Sequence, residues 1–244
     1  PADFAGGLID ISLNSAAAEK TRSIAMSTAF NPNYHFKDNY LTYEKSGADA
    51  LAFGKGFREI PAENNIPFFA ETIADPDGAK AQRYKQILGA FDPQLAAMES
   101  NSLMDIGIDA NVGDFYKKEG YTLGYNFNVS YKNETQFFED ALFSRYGLSN
   151  DRNVTEMEMR EIQQGNYGEN NVLLSGMLGL TLKTAKSKYN FNLLHLQNGT
   201  STAGVFDYDK TDQGAVFNGF QHNLEYAERS LSNVIVSGDH TFTN

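Results

Sequence analysis

The chain has 244 residues, with 20 Lys plus Arg against 31 Asp plus Glu, a formal charge of −11. That sign argues against a nucleic-acid surface, and the lack of cysteine excludes disulfides, thiolate-bound zinc and a thiol nucleophile. No run of about 20 apolar residues is present to form a spanning helix, whereas 13 Tyr, 18 Phe and 21 Gly lean toward strands and turns.

The chain opens at Pro1 without a basic n-region or an apolar h-region, so any targeting signal lies outside this numbering. The first strand expected is Ser23 to Phe30, with Ile24, Met26 and Phe30 on one face. A long segment, about 31–101, follows. Within it Asp75-Pro76-Asp77-Gly78 predicts a turn and Ala79 to Leu88 a helix. Asp92 followed by Pro93 predicts a second short helix reaching Glu99, capped by the aspartate.

From Ser102 the sequence alternates with period two, a strand signature. Met104, Ile106, Ile108, Ala110 and Val112 face one way, and Asp105, Asp109 and Asn111 the other. After Lys117-Lys118-Glu119-Gly120 the alternation resumes. Tyr121, Leu123, Tyr125, Phe127, Val129 and Tyr131 then oppose Thr122, Asn126, Asn128, Ser130 and Lys132. A hairpin pairing Tyr116 with Tyr121 aligns the two apolar faces, setting Val112 against Tyr125 and Ile108 against Val129.

A second long loop, about 133–170, is expected next, with Thr155 and Glu158 reading as a capping box ahead of a helix. Leu174, Leu178, Leu180 and Leu182 then lead through Ala185-Lys186-Ser187-Lys188 into Tyr189, Phe191 and Leu193, a second hairpin. A third long loop is placed at about 198–220. The last strand, Asn233 to Phe242, carries Val234, Val236 and Phe242 on one face.

Long and short connections therefore alternate, which puts the long loops on one edge of an up-and-down sheet and the tight turns on the other. That is the plan of a transmembrane β-barrel. Tyr121 and Tyr131 are ten residues apart on one face, roughly 33 Å along a strand and about 25 Å vertically at a tilt near 40°, the height of an outer-membrane apolar band. The fold expected is all-β, an antiparallel up-and-down transmembrane barrel segment of about six strands with long, partly helical extracellular loops. Six strands fall short of the roughly eight in the smallest membrane barrels, so a closed barrel needs further chain. The competing plan is a secreted or surface β-sandwich that binds glycan or protein. Long strands, one-sided loops and terminal tyrosines weigh against it.

Three stretches carry a family resemblance. Ala5-Gly6-Gly7-Leu8-Ile9-Asp10-Ile11-Ser12-Leu13 looks like the last plug strand of TonB-dependent outer-membrane receptors. Asn31-Pro32-Asn33-Tyr34-His35-Phe36 and Asp38-Asn39-Tyr40-Leu41-Thr42-Tyr43 resemble the large plugged barrels of that family, which often carry a carboxypeptidase-regulatory-like N-terminal domain. So does Glu225-Tyr226-Ala227-Glu228-Arg229-Ser230-Leu231. The resemblance implies a 22-stranded barrel in the Gram-negative outer membrane. Residues 1–13 would end the plug, 14–22 form a linker, and 23–244 the first part of the barrel. It further implies import of a scarce or bulky nutrient such as an iron chelate, cobalamin, an oligosaccharide or a peptide. TonB would act through a segment preceding this chain, a surface lipoprotein is a further partner, and no cofactor is expected.

On this plan Ile106, Ile108, Leu123, Phe127, Val129, Leu178, Leu180 and Phe191 face lipid. Tyr116, Tyr121 and Tyr189 form the girdle nearest the turns, and Tyr131 belongs to the distal one. Asp105, Asp109, Asn111, Asn126, Asn128, Ser130, Asn190 and Asn192 face the lumen, where they hydrate the wall, contact a plug or guide polar cargo. Leu194 and Leu196 share that parity and suit plug packing. Tyr34, Tyr40, Phe68 and Phe69 either touch ligand or fold the first loop.

No catalytic centre is expected. His35, His195, His222 and His240 lack neighbours spaced for a triad or a metal. Asp207, Asp209 and Asp212 miss the order of a calcium loop. Gly54-Lys55-Gly56 is too short to cradle phosphate, and Glu156 with Glu158 read as helix-start charges.

Overall fold

The computed structural model describes residues 19–242 except 57, 63, 150, 152 and 212–215. The plug-like stretch 5–13 and most of the expected linker lie outside the described residues.

The chain is all-β with one main antiparallel sheet. Strands β1 (Thr21–Ala29), β4 (Asp105–Lys118), β5 (Tyr121–Leu148), β6 (Met157–Thr184), β7 (Ser187–Lys210) and β8 (Phe217–His240) lie side by side in chain order. A small second sheet joins β2 (Tyr40–Thr42) to β3 (Met98–Ser100) inside the connection between β1 and β4. That connection also holds a 3-10 turn (Gly47–Leu51) and two helices, α1 (Phe69–Ala74) and α2 (Ala79–Gly89). The turn at Asp75-Pro76-Asp77-Gly78 forms as expected, closed by the Gly78 N–H on the Asp75 carbonyl at 3.2 Å.

The first hairpin is tighter than the sequence suggests. Lys118 pairs with Tyr121, so Tyr116 meets Leu123, Val112 meets Phe127 and Ile108 meets Tyr131. Gly120, at φ +87°, allows a two-residue link, and Lys117 and Lys118 join the ladder instead of the turn. The shift from the expected register is two residues, which leaves every side chain on its predicted face.

Two of the three long loops do not exist as loops. Residues 133–148 continue β5, 157–170 begin β6, and the two are paired from Asn133–Val172 to Leu148–Met157. Residues 198–210 continue β7 and 217–232 belong to β8, leaving only short connections at 149–156 and 211–216. The Thr155/Glu158 capping box is therefore not a helix start, because Glu158 pairs with Gly147 in a ladder. The helix expected after Asp92 is also absent. The Asp92 carboxylate accepts the Gln94 N–H at 2.9 Å, and Met98–Ser100 goes to the small sheet. The loop expected at 31–101 is present, and the linker expected to run to residue 22 gives way to β1 at Thr21.

The sheet has two tiers. In the lower one, next to the Glu119-Gly120 and Ala185-Lys186 turns, all six strands run together. In the upper one, β5 to β8 continue alone, and residues 40–58 fold against one of their faces. The core sits there, with Tyr40, Leu41, Tyr43, Phe137 and Ala203 buried together.

Candidate functional site

Register decides which side chains share a face of the lower tier. Val112, Phe127, Leu178, Leu193 and Val234 form one cross-strand row, and Tyr116, Leu123, Leu182 and Tyr189 another nearer the turns. Met26, Ile108, Tyr131 and Leu174 form the uppermost apolar row. The expected lipid-facing residues Ile106, Ile108, Leu123, Phe127, Val129, Leu178, Leu180 and Phe191 all lie on this face. It is bare: Ile108 is 42% exposed, Leu123 44%, Phe127 47% and Leu180 37%. Tyr116, Tyr121 and Tyr189 sit at its turn end and Tyr131 at its upper rim. Charge enters at the β1 edge, where Lys20 bonds Asp114 at 3.0 Å and Arg22 pairs with Val112, and a polar pair, His195 bonded to Ser232 at 2.8 Å, lies between the Val112 and Ile108 rows.

The covering begins where the apolar rows stop. The Tyr131 hydroxyl donates to the Ala50 carbonyl at 2.9 Å, and the Gln197 amide, buried to 2% exposure, donates to the Ala52 carbonyl and the Glu228 carboxylate, each at 2.8 Å. Above these contacts the same face becomes mixed, with Asn133, Asn170, Ser201 and Glu228 beside Phe137, Val172 and Ala203, beneath or beside the folded loop.

Arg58 pins that loop. Its guanidinium forks onto Asp49 at 2.6 and 2.7 Å and lies over the rings of Tyr43 at 5.2 Å and Tyr226 at 4.2 Å. The Ser46 hydroxyl adds a bond to Asp49 at 2.9 Å, and Glu228 accepts the Gly54 N–H at 2.8 Å. Burial pushes the Asp49 carboxyl up, but the hydrogen bonds from Arg58 and Ser46 outweigh it and hold the group below its ordinary value. Close approach requires glycine on the wall. A Cβ at Gly199 would meet Ala52 Cα at 2.8 Å, and one at Gly168 would strike the Leu41 carbonyl oxygen. Arg58 and Asp49 carry no sequence signal, since they pair with each other across nine residues of loop and with Tyr226 of β8 only through the fold. Tyr226 and Glu228 do fall in the Glu225–Leu231 stretch that the sequence singles out.

On the opposite face the structure brings together Asp105, Asp109, Asn111, Asn126, Asn128 and Ser130, with Asn190 and Asn192 farther along the same side. Several bond one another. Asn111 donates to Asn126 at 2.9 Å and accepts from Thr21 at 3.2 Å, while Asn190 accepts from Thr181 at 2.9 Å. Asn192 is buried. Leu194 and Leu196 share this face and are half-buried. Asp105 has structural partners: it accepts the Thr135 N–H at 2.8 Å and lies 3.5 Å from Nε2 of the buried His35. His35 Nδ1 in turn accepts the Asn31 N–H, so the Asn31–Phe36 stretch closes into a compact turn.

The remaining histidines do not converge. His195 bonds Ser232, His222 accepts from Ala97, and His240 bonds Ser187. Asp207 and Asp209 lie in β7, and Asp212 falls outside the described residues. Among the described residues no three His, Asp or Glu side chains gather as a metal cluster. Tyr40 is buried and Tyr34 packs beside it, whereas Phe68 and Phe69 stand exposed on the loop. Set against family models, curated proteins and solved structures, the chain matches none.

Proposed function

We propose that this chain forms part of the wall of an outer-membrane β-barrel, in a nutrient importer of the TonB-dependent receptor type. One observation carries the reading. The bare apolar band is bounded, in register across neighbouring strands, by tight turns below and by the chain's own folded loop above. Its height from Tyr121 to Tyr131, about 25 Å at a tilt near 40°, suits the hydrocarbon layer. A water-facing sheet has no reason to leave these lower apolar rows bare while it buries Phe137, Val172 and Ala203 beneath the loop above, because burying apolar area contributes roughly 25 cal/mol per Å².

β1 and β8 each pair on one side only, and open edges do not occur in the hydrocarbon region. The rest of a barrel, of 22 strands on the family resemblance, would pair with those edges, and a plug would sit against the face bearing Asp109, Asn111 and Asn192. Energy would come from TonB through a preceding segment, and a surface lipoprotein would meet the loops. The location is then the outer membrane of a Gram-negative cell. The test is behaviour without lipid. The chain should aggregate in buffer and become monodisperse only with detergent or bilayer. A monodisperse, cooperatively unfolding species in plain buffer would contradict the reading.

A further inference from the structure

The docked loop leaves a cleft of about 460 Å³ between itself and the wall, on the face that carries the bare band. Tyr40, Tyr43 and Lys45 form one side, Met98 and Leu103 another, and Ile106, Asn133 and Asn170 the back. Register fixes its height. Ile106 continues the β4 column of Val112, Ala110 and Ile108 and pairs with Asn133, while Asn170 pairs with Thr135, two residues higher. The cleft therefore runs from two to four residues above the row of Ile108, Tyr131 and Leu174, roughly 5–10 Å higher at about 3.3 Å per residue and a tilt near 40°. On the membrane reading that is headgroup depth, a polar layer about 5–8 Å thick beyond the hydrocarbon.

Polarity divides the cleft. Its lip is apolar and exposed, with Met98 and Leu103 at 46% and 67% exposure next to Ile106. Its upper end holds Lys45, whose ammonium donates to the Asn170 side-chain oxygen at 2.9 Å. An ammonium has three donors, so two remain for a ligand. None of the ion pairs among the described residues includes Lys45. No carboxylate lines the cleft, although the chain as a whole is acidic. The acid that acts on Lys45, Asp49, is already committed to Arg58. Burial holds the ammonium below its ordinary value, with Asp49 opposing that shift and Arg58 adding to it. A half-buried cation without a counter-ion costs free energy that an incoming anion would offset.

We infer that this cleft seats the phosphate of an anionic lipid headgroup against Lys45, with the acyl chains running down past Leu103 and Ile106 onto the bare band. A lysine ammonium is a compact point charge suited to a phosphate oxygen. The exposed apolar lip favours a lipid over a free anion, because an inorganic ion gains nothing from covering Met98 and Leu103. The column from Ile106 to Val112 then offers the chains a continuous apolar track. The inference rests on the membrane reading of the lower tier for the source of the phosphate.

The test is native mass spectrometry on the polypeptide that carries this chain, released from a nonionic detergent. The probes are phosphatidic acid, phosphatidylcholine, diacylglycerol and inorganic phosphate. Phosphatidic acid should bind at least about tenfold more tightly than phosphatidylcholine or diacylglycerol, the difference one charge-assisted hydrogen bond makes. Lys45→Gln should abolish that preference and Lys45→Arg should keep most of it. Ser100→Glu, which sets a carboxylate opposite Tyr40 and leaves Lys45 in place, should cause the same loss as Lys45→Gln. Lys132→Gln, on the other face of the sheet, should change nothing. A preference that survives Lys45→Gln, equal binding of diacylglycerol, or displacement of the lipid by inorganic phosphate at equal concentration would overturn the inference. The two readings fail separately: a protein that needs detergent yet shows no preference for phosphatidic acid loses only the lipid site, whereas one monodisperse in plain buffer loses the wall and the site together.

Discussion

Arg58 shows how one side chain can hold some twenty residues of loop to a wall. Its fork onto Asp49 is buried, and its stacking between Tyr43 and Tyr226 ties the loop to β8. Arg58→Ala leaves Asp49 desolvated without its cation, at a cost of about 3 kcal/mol. The expected outcome is faster amide exchange across residues 47–58, with the β4–β5 ladder unchanged. Arg58→Lys should restore part of the protection, because a point charge cannot replace a bidentate fork. The pH dependence follows from Asp49, whose folded value is lowered. A depressed carboxylate contributes its stability fully above its unfolded value near 3.9 and loses it as pH falls through the folded value. Loop protection measured by exchange should therefore stay constant from neutral pH down to about 4, and fall only below that.

At the scale of the element, parity is the governing quantity. Leu123 and Thr122 are adjacent in β5 yet point to opposite faces. In a bilayer Leu123→Arg should destabilise by about 2–4 kcal/mol at mid-depth and less near the interface, whereas Thr122→Arg should cost far less. Denaturant titration of the protein reconstituted in lipid vesicles measures both.

The strand alternation was legible wherever the two faces meet different surroundings, as along Ile106–Val112 and Tyr121–Tyr131. It faded in 133–148, 157–170 and 198–210 because one face there lies beneath a mixed polar and aromatic loop and the other is largely wet. Asn170, Ser201 and Thr202 pair as well as Leu178 and Leu193 do, since the ladder is built from backbone groups, but they leave no hydropathy pattern to read. The cleft was hidden for a different reason. Lys45 and Asn170 are 125 residues apart and meet only once the loop docks on β6. The lumen-side row was legible as a row, although Asp105 turned out to serve Thr135 and His35.

Across the whole molecule, the sheet divides by height. The lower tier has one greasy bare face and one polar face; the upper tier has one face covered by loop and one largely wet. The membrane wall proposed above would account for both in a single geometry, with lipid against the lower apolar rows and water around the upper strands. These 244 residues contain no cysteine, so single cysteines introduced among them make that claim directly measurable once any cysteine elsewhere in the polypeptide is replaced by serine. Single cysteines at residues 121 to 131, spin-labelled in the polypeptide that carries this chain and reconstituted in a bilayer, report collisions with oxygen and with a water-soluble nickel chelate. Oxygen collision should peak at 121, 123, 125, 127, 129 and 131 and dip at the residues between. Nickel collision that matches or exceeds oxygen collision at Leu123 and Phe127, or a profile without period two, would contradict a lipid-facing wall.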